Sequence, residues 1–325
     1  MKKTCLLITT LLFVLTAYSQ QHIIAADLVT NVGTEALPRA SPNNSAIKQD
    51  SVAVNYASHN PTAGKQAAAF YALVAGGSKG IGYAIAEALA KRGYNLVLVA
   101  RHMDSLMAAK KILETSYGIN VEILAYDLAE ESSTNAIASW CINKNLPLKM
   151  LCNVAGFGGT KDYLSLSTDS LRYMVRLNIE STMALTLALL PLLEKNAPSY
   201  ILNVASMAGF APIPIKNMYS ATKSAIIFFS YSLRYQLKKK HISVSCLTPG
   251  PVFTKPSIRK DTREKLGWIG MMMAVSPKRV GEIAVAETLN KKLIIVPGTL
   301  AKLASTIIRF LPRRWVVSLY GNVGE

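Results

Sequence analysis

A tyrosine and a lysine in Tyr219-Ser-Ala-Thr-Lys223 form the sharpest chemical signal in the sequence. An interval of four residues places both side chains on one face of a helix, one turn apart. A phenol with its ordinary pKa of about 10 exchanges protons poorly at neutral pH, and a neighbouring ammonium lowers that pKa by stabilising the phenolate. The pattern predicts that Tyr219 serves as general acid toward a ketone or general base toward an alcohol.

A serine lies thirteen residues before this tyrosine, in Asn-Val-Ala-Ser206 at the end of a strand-like run. A hydroxyl at that place can bind the substrate oxygen and orient it toward Tyr219. A bare Y-x-x-x-K pair is common by chance, so the pair gains its meaning from Ser206 and from the glycine turn that precedes both. We predict Ser206, Tyr219 and Lys223 as catalytic residues.

The glycine turn directly follows the first apolar run and reads Gly76-Gly77-Ser78-Lys79-Gly80-Ile81-Gly82. A pyrophosphate needs a tight turn, close approach of the backbone and the positive end of a helix dipole. Glycines allow the first two because they lack Cβ. The turn therefore predicts a dinucleotide phosphate site, formed by Gly76, Ser78, Lys79, Gly80, Ile81 and Gly82.

Two basic residues indicate which dinucleotide binds. Arg101 stands at the end of the second strand, where an NAD enzyme places an acid to bind the ribose hydroxyls. A guanidinium there can pair with a 2′-phosphate, which an acid would repel. Lys79 lies in the glycine turn, near the same ribose. Together they predict NADP(H) as the cofactor, although Arg101 alone could also be a solvated loop residue.

The spacing G-x-x-x-G-x-G, followed by Ser206 and the Y-x-x-x-K pair, resembles the short-chain dehydrogenase/reductase family, whose turn reads T-G-x-x-x-G-x-G. Ala75 stands where that family has threonine. The resemblance covers about residues 70 to 297. It implies hydride transfer between a nicotinamide and a carbonyl or alcohol carbon. Tyr-Ser-Ala-Thr-Lys, followed by Phe228-Phe229-Ser230, is locally similar to the 3-ketoacyl reductase and 17β-hydroxysteroid dehydrogenase branch.

The resemblance implies further site residues. In the family, the counterpart of Asn178 holds, through its backbone, a water that relays protons to the lysine, so Asn178 joins the catalytic set. The lysine of the pair, here Lys223, also holds the nicotinamide ribose. Asn153-Val-Ala-Gly156 matches the family's N-N-A-G except at Val154. The remaining cofactor residues are Asp127 near the adenine, Asn153 and Gly156 at the cleft, and Pro249, Gly250 and Thr254 near the nicotinamide carboxamide.

The rest of the sequence predicts an α/β fold. Short apolar runs alternate with stretches of helical length and period, which is typical of βαβ units and a doubly wound, mostly parallel sheet with its ligand site at the carboxyl ends of the strands. Seven strands are predicted, at Tyr71–Ala75, Leu96–Ala100, Val121–Tyr126, Met150–Asn153, Tyr200–Ala205, Ser243–Leu247 and Leu293–Val296. Helices are predicted at 80–92, 103–117, 132–144, 169–195, 219–240 and 278–290. We expect one Rossmann domain over 69–298.

Segments of different character flank this domain. Lys2 and Lys3 precede a short apolar run, so 1–19 is predicted to be a signal peptide or an uncleaved membrane anchor. Residues 20–68 are polar and aperiodic, which favours a flexible linker. Residues 299–325 are apolar and basic, cut by Pro312, and fit an amphipathic tail that lies on a membrane, caps the substrate pocket or packs on a partner subunit. The chain is then exported or membrane-associated, or anchored on the cytoplasmic side.

Composition narrows the partners. Lys and Arg number 36 against 19 Asp and Glu, a net charge of +17. A basic surface suits a membrane or simply solvent, whereas no zinc-knuckle or helix-turn-helix pattern supports nucleic acid. Four cysteines without a C-x-x-C pair predict no metal site and no disulfide framework. The family resemblance implies a homo-oligomer.

The substrate is predicted to be apolar, because Met207 to Ile215 is almost free of charge and Trp268 to Met273 is apolar within a region expected to form a lid. The same segments could equally pack in the core or at a dimer interface. A lipid, a 3-ketoacyl compound or a steroid-like ketone would fit. The alternative is a membrane-associated dinucleotide-binding module that has lost its chemistry.

Overall fold

Seven strands form a single parallel sheet in the computed structural model, which describes residues 70–158, 163–254 and 256–321. Their order across the sheet is β3-β2-β1-β4-β5-β6-β7, and every neighbouring pair is parallel. The strands are β1 Tyr71–Ala75, β2 Asn95–Ala100, β3 Val121–Ala125, β4 Leu148–Asn153, β5 Ser199–Val204, β6 Ile242–Leu247 and β7 Ile294–Ile295. The predicted doubly wound fold class is confirmed.

Ten α-helices accompany these strands in the described part of the chain. They are α1 Gly80–Ala90, α2 Met103–Tyr117, α3 Glu131–Asn143, α4 Thr168–Val175, α5 Ser181–Lys195, α6 Asn217–Gln236, α7 Pro256–Met273, α8 Pro277–Leu289, α9 Thr299–Phe310 and α10 Arg313–Gly321. Single turns of 3₁₀-helix lie at Tyr163–Ser165, Met207–Phe210, Pro214–Lys216 and Lys238–Lys240. The leader and linker predicted over 1–19 and 20–68 lie outside the described residues.

Two apolar layers cover the two faces of the sheet. Alternate residues of β1 point to opposite sides: Ala72 and Val74 pack with α1, α2 and α8, whereas Leu73 and Ala75 pack with α3, α5 and α6. In β2 the four residues Leu96 to Val99 are all fully buried. Because both faces are covered, the strands are apolar throughout rather than alternating.

A tight approach of α8 to α1 holds the first layer together. At Gly281 an added Cβ would lie 2.3 Å from the Ala84 carbonyl oxygen, so no side chain fits there. This contact keeps α1, which begins directly after the glycine turn, pressed against the sheet.

The helix predicted over 169–195 is not one continuous α-helix. A five-residue π-helical segment, Arg176–Glu180, separates α4 from α5. By length and composition the run Thr168–Lys195 is apolar enough to cross a membrane. We interpret it as a core helix, since α5 packs on β4, β5 and α3 and buries Leu185, Leu189 and Leu193.

The carboxyl ends of the strands form a crevice where the strand order reverses, between β1 and β4. Val154 and Ala155 both donate backbone hydrogen bonds to the Ala75 carbonyl, at 2.9 and 2.8 Å. The loops after β1 and β4 are thus tied together at the point where doubly wound sheets place their ligands.

Candidate active site

The glycine turn after β1 is packed too closely against backbone to accept side chains at Gly76 and Gly82. Gly76 and Gly80 have φ of +90° and +61°, in the region that favours glycine. An added Cβ at Gly82 would lie 2.0 Å from the Gly76 carbonyl oxygen, and one at Gly76 would lie 2.8 Å from the Ala155 nitrogen. The turn is therefore open backbone at the N-terminus of α1, which is the shape that a dinucleotide phosphate requires.

Other predicted residues of the turn take different positions. Lys79 is exposed and is the N-cap residue of α1, Ser78 is half-buried, and Ile81 packs against the apolar layer on the α1 face. A Cβ at Gly80 would meet Thr254 Cγ2 at 3.2 Å, so Thr254 lies beside the turn, and its contact with the nicotinamide carboxamide stays a prediction. The convergence of Lys79 on the same phosphate as Arg101 stays a prediction.

At the end of β2, Arg101 has partners that its sequence position does not reveal. Its Nη1 donates to the Tyr173 hydroxyl at 2.8 Å and lies 3.9 Å from Asp127 Oδ2. Tyr173, from α4, also packs edge-on against Phe157 with 6.1 Å between ring centroids. Arg101 and Asp127, predicted separately for the ribose and the adenine, are thus brought together, and Tyr173 is an additional residue of this end of the crevice.

Asn153 does not extend into the crevice. Its side chain is buried, and its Nδ2 donates to Thr186 Oγ1 and to Asn203 Oδ1, both at 2.9 Å. Asn203 Nδ2 donates in turn to Ser230 Oγ at 3.0 Å. The Asn153 amide joins β4, β5, α5 and α6 inside the protein, and its predicted part in shaping the cofactor cleft stays a prediction.

Gly156 lies where two predicted catalytic side chains meet. A Cβ there would be 3.1 Å from Lys223 Nζ and 3.3 Å from Asn178 Oδ1. Asn178 is almost fully buried in the π-helical segment, which is a feature common at functional sites. Its Oδ1 accepts from the Phe157 backbone nitrogen at 2.7 Å, and its Nδ2 donates to the Phe157 carbonyl at 3.0 Å and to Thr222 Oγ1 at 3.0 Å.

Lys223 is a buried cation held by the end of β5. Its Nζ donates to the Val204 carbonyl at 2.9 Å, and only 4% of the residue is exposed. Burial lowers the pKa of Lys223 to about 8, and the nearby Cys246 acts in the opposite direction. The ammonium lies 5.9 Å from the centre of the Tyr219 ring. The Y-x-x-x-K spacing therefore places both groups on one face, as predicted.

The Ser206 hydroxyl is within reach of the Tyr219 phenol, and its interaction lowers the pKa of Tyr219. Burial raises that pKa by more, so the pKa of Tyr219 lies above its ordinary value. The predicted lowering is wrong, because desolvation of the phenolate dominates and Lys223 gives its hydrogen bond to Val204 rather than to the phenol. Ser206, Tyr219, Lys223, Asn178 and Gly156 nevertheless form one contiguous cluster.

The loop after β6 borders this cluster. The Pro249 carbonyl accepts from the Met207 backbone nitrogen at 3.0 Å, and a Cβ at Gly250 would lie 3.3 Å from Met207 Sδ. Pro249 and Gly250 are therefore next to the turn that begins at Ser206.

Comparison with known proteins decides the family. The family model of short chain dehydrogenases matches residues 71–265. The chain belongs to the short-chain dehydrogenase family. The matched range contains the glycine turn, the π-helical segment and the Ser206–Tyr219–Lys223 cluster, and it ends within α7.

Relatives of this short-chain dehydrogenase include reductases. It is 32% identical over 200 residues to "Very-long-chain 3-oxoacyl-CoA reductase-A" of Danio rerio, covering 60% of this chain and 62% of that protein. It is 31% identical over 200 residues to "Very-long-chain 3-oxoacyl-CoA reductase" of Homo sapiens, covering 60% and 64%. The match therefore spans less than two thirds of these relatives. The solved L-sorbose reductase of Gluconobacter frateurii, complexed with NADPH and L-sorbose, superimposes with a TM-score of 0.63 at 25% identity, over 70% of this chain and 93% of that one.

Three functional neighbours escaped the sequence analysis. Thr222 and the Phe157 backbone position Asn178, and Tyr173 holds Arg101. Thr222 lies inside the Tyr219–Lys223 motif, so its position is evident from the sequence. The sequence did not reveal that its side chain points inward to Asn178. Tyr173 offers no sequence signal, since it meets Arg101 only through folding.

The buried ammonium predicts a pH dependence of stability. Unfolding returns Lys223 to its ordinary pKa, so from about pH 8 to 10.5 the unfolded chain binds a proton that the folded one has released. Stability contributed by this residue therefore rises with pH across that window, by about 3 kcal/mol for the shift from 10.5 to about 8. We expect Lys223→Met to lack this rise in urea unfolding measured from pH 7 to 10.

The exposed Lys111 provides the matched control. Lys111→Met should keep the pH slope of the parent chain. Equal slopes for the parent and Lys223→Met would contradict the lowered pKa of Lys223.

Proposed function

We propose that this chain is an NADP(H)-dependent oxidoreductase that reduces a ketone, or oxidises the matching secondary alcohol, on an apolar substrate. The observation that carries the proposal is the cluster of Ser206, Tyr219 and Lys223 at the carboxyl ends of β4 and β5, beside an open glycine turn. The nature of the relatives, which include 3-oxoacyl-CoA reductases and an L-sorbose reductase, supports this chemistry.

The crevice fits a nicotinamide dinucleotide. The open backbone at Gly76, Gly80 and Gly82 would hold the pyrophosphate at the N-terminus of α1, and Arg101 would pair with a 2′-phosphate. At the other end, Gly156, Pro249, Gly250 and Thr254 would border the nicotinamide. When bound, the nicotinamide supplies or accepts the hydride, and the protein supplies position and proton transfer.

The proton chemistry belongs to Tyr219. Because its pKa is raised, the phenol is protonated at neutral pH and ready to donate to a carbonyl oxygen that becomes an alkoxide. Ser206 would hold the same oxygen by a second hydrogen bond and so stabilise its developing charge. Lys223 would hold the nicotinamide ribose, and Asn178, in the π-helical segment, would keep a water in line to return a proton to Lys223.

Removal of the phenol tests the catalytic assignment. We expect Tyr219→Phe to reduce turnover by roughly 10²- to 10⁴-fold, the usual range for one general acid, while the dissociation constant for NADPH changes little. Turnover is measured as NADPH oxidation against apolar ketones, aldehydes, steroid-like ketones and 3-oxoacyl thioesters, with NADH run beside it.

Tyr235→Phe is the matched control, since this tyrosine is on the same helix and 84% exposed. It should retain full turnover. The alternative function, a dinucleotide-binding module without chemistry, requires that the parent chain bind NADPH and oxidise it with no substrate of the panel. Full activity of Tyr219→Phe would refute the role of the phenol.

Cofactor choice has its own test at Arg101. Reversal of its charge in Arg101→Glu removes the hydrogen bonds to a 2′-phosphate, each worth about 1.5–3 kcal/mol when charged. We expect NADPH to bind about 10- to 100-fold more weakly, with NADH unaffected or bound more tightly, as measured by fluorescence titration. Arg172→Glu makes the same charge change on exposed α4 and should alter neither. An equal loss of affinity for NADPH and NADH in Arg101→Glu would argue against recognition of the 2′-phosphate.

Two partners follow from exposed apolar surfaces. We infer self-association through α5 and α6, where Leu187 and Phe228 are 71% and 69% exposed. We also infer that α9 and α10 lie on an anionic lipid surface, because Leu303, Phe310, Trp315 and Leu319 are each more than half exposed among the basic residues Lys302 and Arg314. Such a surface would bring the enzyme to apolar substrates.

The lipid contact is tested by a local probe, because Ala301, Ser305 and Val316 are buried and deletion of the tail would open the core. With Trp140 and Trp268 replaced by phenylalanine, the remaining Trp315 should be quenched by brominated lipid in vesicles that contain phosphatidylserine. A chain that retains only Trp140, on α3, should not be quenched. Absence of quenching at Trp315 would contradict the lipid surface, whatever the leader does.

A further inference from the structure

The turn that follows Ser206 determines where its hydroxyl lies. Ser206 Oγ accepts a hydrogen bond from the Ala208 backbone nitrogen at 3.1 Å, and the Gly209 nitrogen bonds to the Ser206 carbonyl at 3.0 Å. We call residues Ser206 to Phe210 the serine turn. Its shape and the direction of the hydroxyl are thus linked, so whatever holds the turn also holds the group that bonds with Tyr219.

One side of the serine turn rests on α6. An added Cβ at Gly209 would lie 2.8 Å from the backbone carbon and oxygen of Lys223 and 2.7 Å from Ile227 Cδ1. The turn therefore touches the helix at the same residue that carries the buried ammonium. This contact prevents movement toward α6 but leaves the opposite direction free.

The opposite side is held by the C-terminal helices through Phe210. The Arg309 guanidinium lies 3.9 Å over the centre of the Phe210 ring, and Arg313 Nη1 donates to the Phe210 carbonyl at 2.5 Å. Phe210 is only 7% exposed, so it does not line an open pocket as its apolar segment suggested. The serine turn is enclosed between α6 on one side and α9 and α10 on the other.

Covering the apolar ring of Phe210 with Arg309 has a cost in folding free energy. The Nε of Arg309 is buried without a hydrogen-bond partner among the described residues. Burial raises the pKa of the nearby Cys246 thiol to about 11, and the charge of Arg309 acts in the opposite direction. A buried donor without a hydrogen-bond partner costs about 1–3 kcal/mol. An aliphatic side chain would fill the same space without that cost. Stability alone therefore does not account for an arginine here.

These two helices also lie beyond the part of the chain that the family model matches, which ends at residue 265. The serine turn belongs to the shared domain, whereas its outer support is supplied by a segment outside that match.

We propose that Arg309 and Arg313 are positioning residues that act through Phe210 to hold the Ser206 hydroxyl against Tyr219. This inference depends on the proposed oxidoreductase function. Neither arginine touches the reacting atoms: the cation–π contact and the backbone hydrogen bond fix the serine turn, and the serine turn fixes the hydroxyl.

The test compares Arg313→Ala with Arg313→Lys, which retains a donor, and with Arg279→Ala at an exposed position on α8, away from the serine turn. We expect Arg313→Ala to lower the turnover of ketone reduction about tenfold, with NADPH binding unchanged, and Arg313→Lys to recover most of it. In Ser206→Ala the added Arg313→Ala should cost nothing further. Arg309→Met should behave like Arg313→Ala.

A pH profile separates positioning from general loosening. The Ser206 hydrogen bond lowers the pKa of Tyr219, so weakening that bond should move the ascending limb of alcohol oxidation to higher pH, as in Ser206→Ala. Arg279→Ala should leave the limb in place. An unshifted limb in Arg313→Ala, or losses that add to those of Ser206→Ala, would overturn the proposal.

A readout without turnover keeps the two proposals distinct. In protein labelled with fluorotyrosine, the fluorine resonance of Tyr219 is assigned by its absence in Tyr219→Phe and titrated with pH. Arg313→Ala should titrate at higher pH than the parent even if no substrate is found. If the parent oxidises no NADPH yet this titration shifts, the oxidoreductase function fails and the positioning contact stands. If turnover is present and the titration does not shift, the positioning proposal fails.

Discussion

The fold of this site depends on one buried hydrogen bond, from the Lys223 ammonium to the carbonyl of Val204 at the end of β5. A cation with little exposure is tolerated only where its donors are used. The bond fixes α6 against the sheet at the level of the strand ends, and Tyr219, one turn earlier on the same helix, is thereby placed over the crevice. Burial of this amine is the reason that its pKa falls to about 8 and that its surroundings contain so many ordered polar groups.

Two chains of buried polar groups lie near β5, and both reach α6. One runs from Asn178 to Thr222 and to the Phe157 backbone, and it sets the loop after β4 against α6. The other, described above, links β4, β5 and the helices behind them through amides and hydroxyls. In the second chain Asn153 Oδ1 is buried without a partner among the described residues, whereas every side-chain polar atom of Asn178 in the first chain is bonded, and such buried networks are costly to disturb. These networks hold the loop at Gly156 at a fixed distance from Lys223.

The sequence allowed prediction of whatever depends on chain-local spacing. All seven strands follow from short apolar runs, the glycine turn from its residue types, and the shared face of Tyr219 and Lys223 from the helical period of about 3.6 residues. The sequence did not allow prediction of features that depend on side-chain orientation or on contacts between residues far apart in the chain. The amide of Asn153 could point to either side of its strand, the π-helical segment around Asn178 has no compositional mark, and Tyr173 meets Arg101 across seventy-two positions. The pKa of Tyr219 was predicted in the wrong direction because spacing reveals the neighbouring ammonium but not the extent of burial.

The basic excess of the chain has several local uses rather than one. Arg101 binds a tyrosine at the crevice, Lys240 and Lys292 pair with Glu194 and Glu287, and Arg309 covers a phenylalanine. A net charge of +17 invites a single polyanionic partner as its explanation. The structure instead divides the charge between contacts that hold the fold, a residue placed at the cofactor crevice and an outer rim on α9 and α10. Since these basic side chains have separate structural roles, the net charge is a weak guide to the binding partner. The positions of individual guanidinium groups are a better guide.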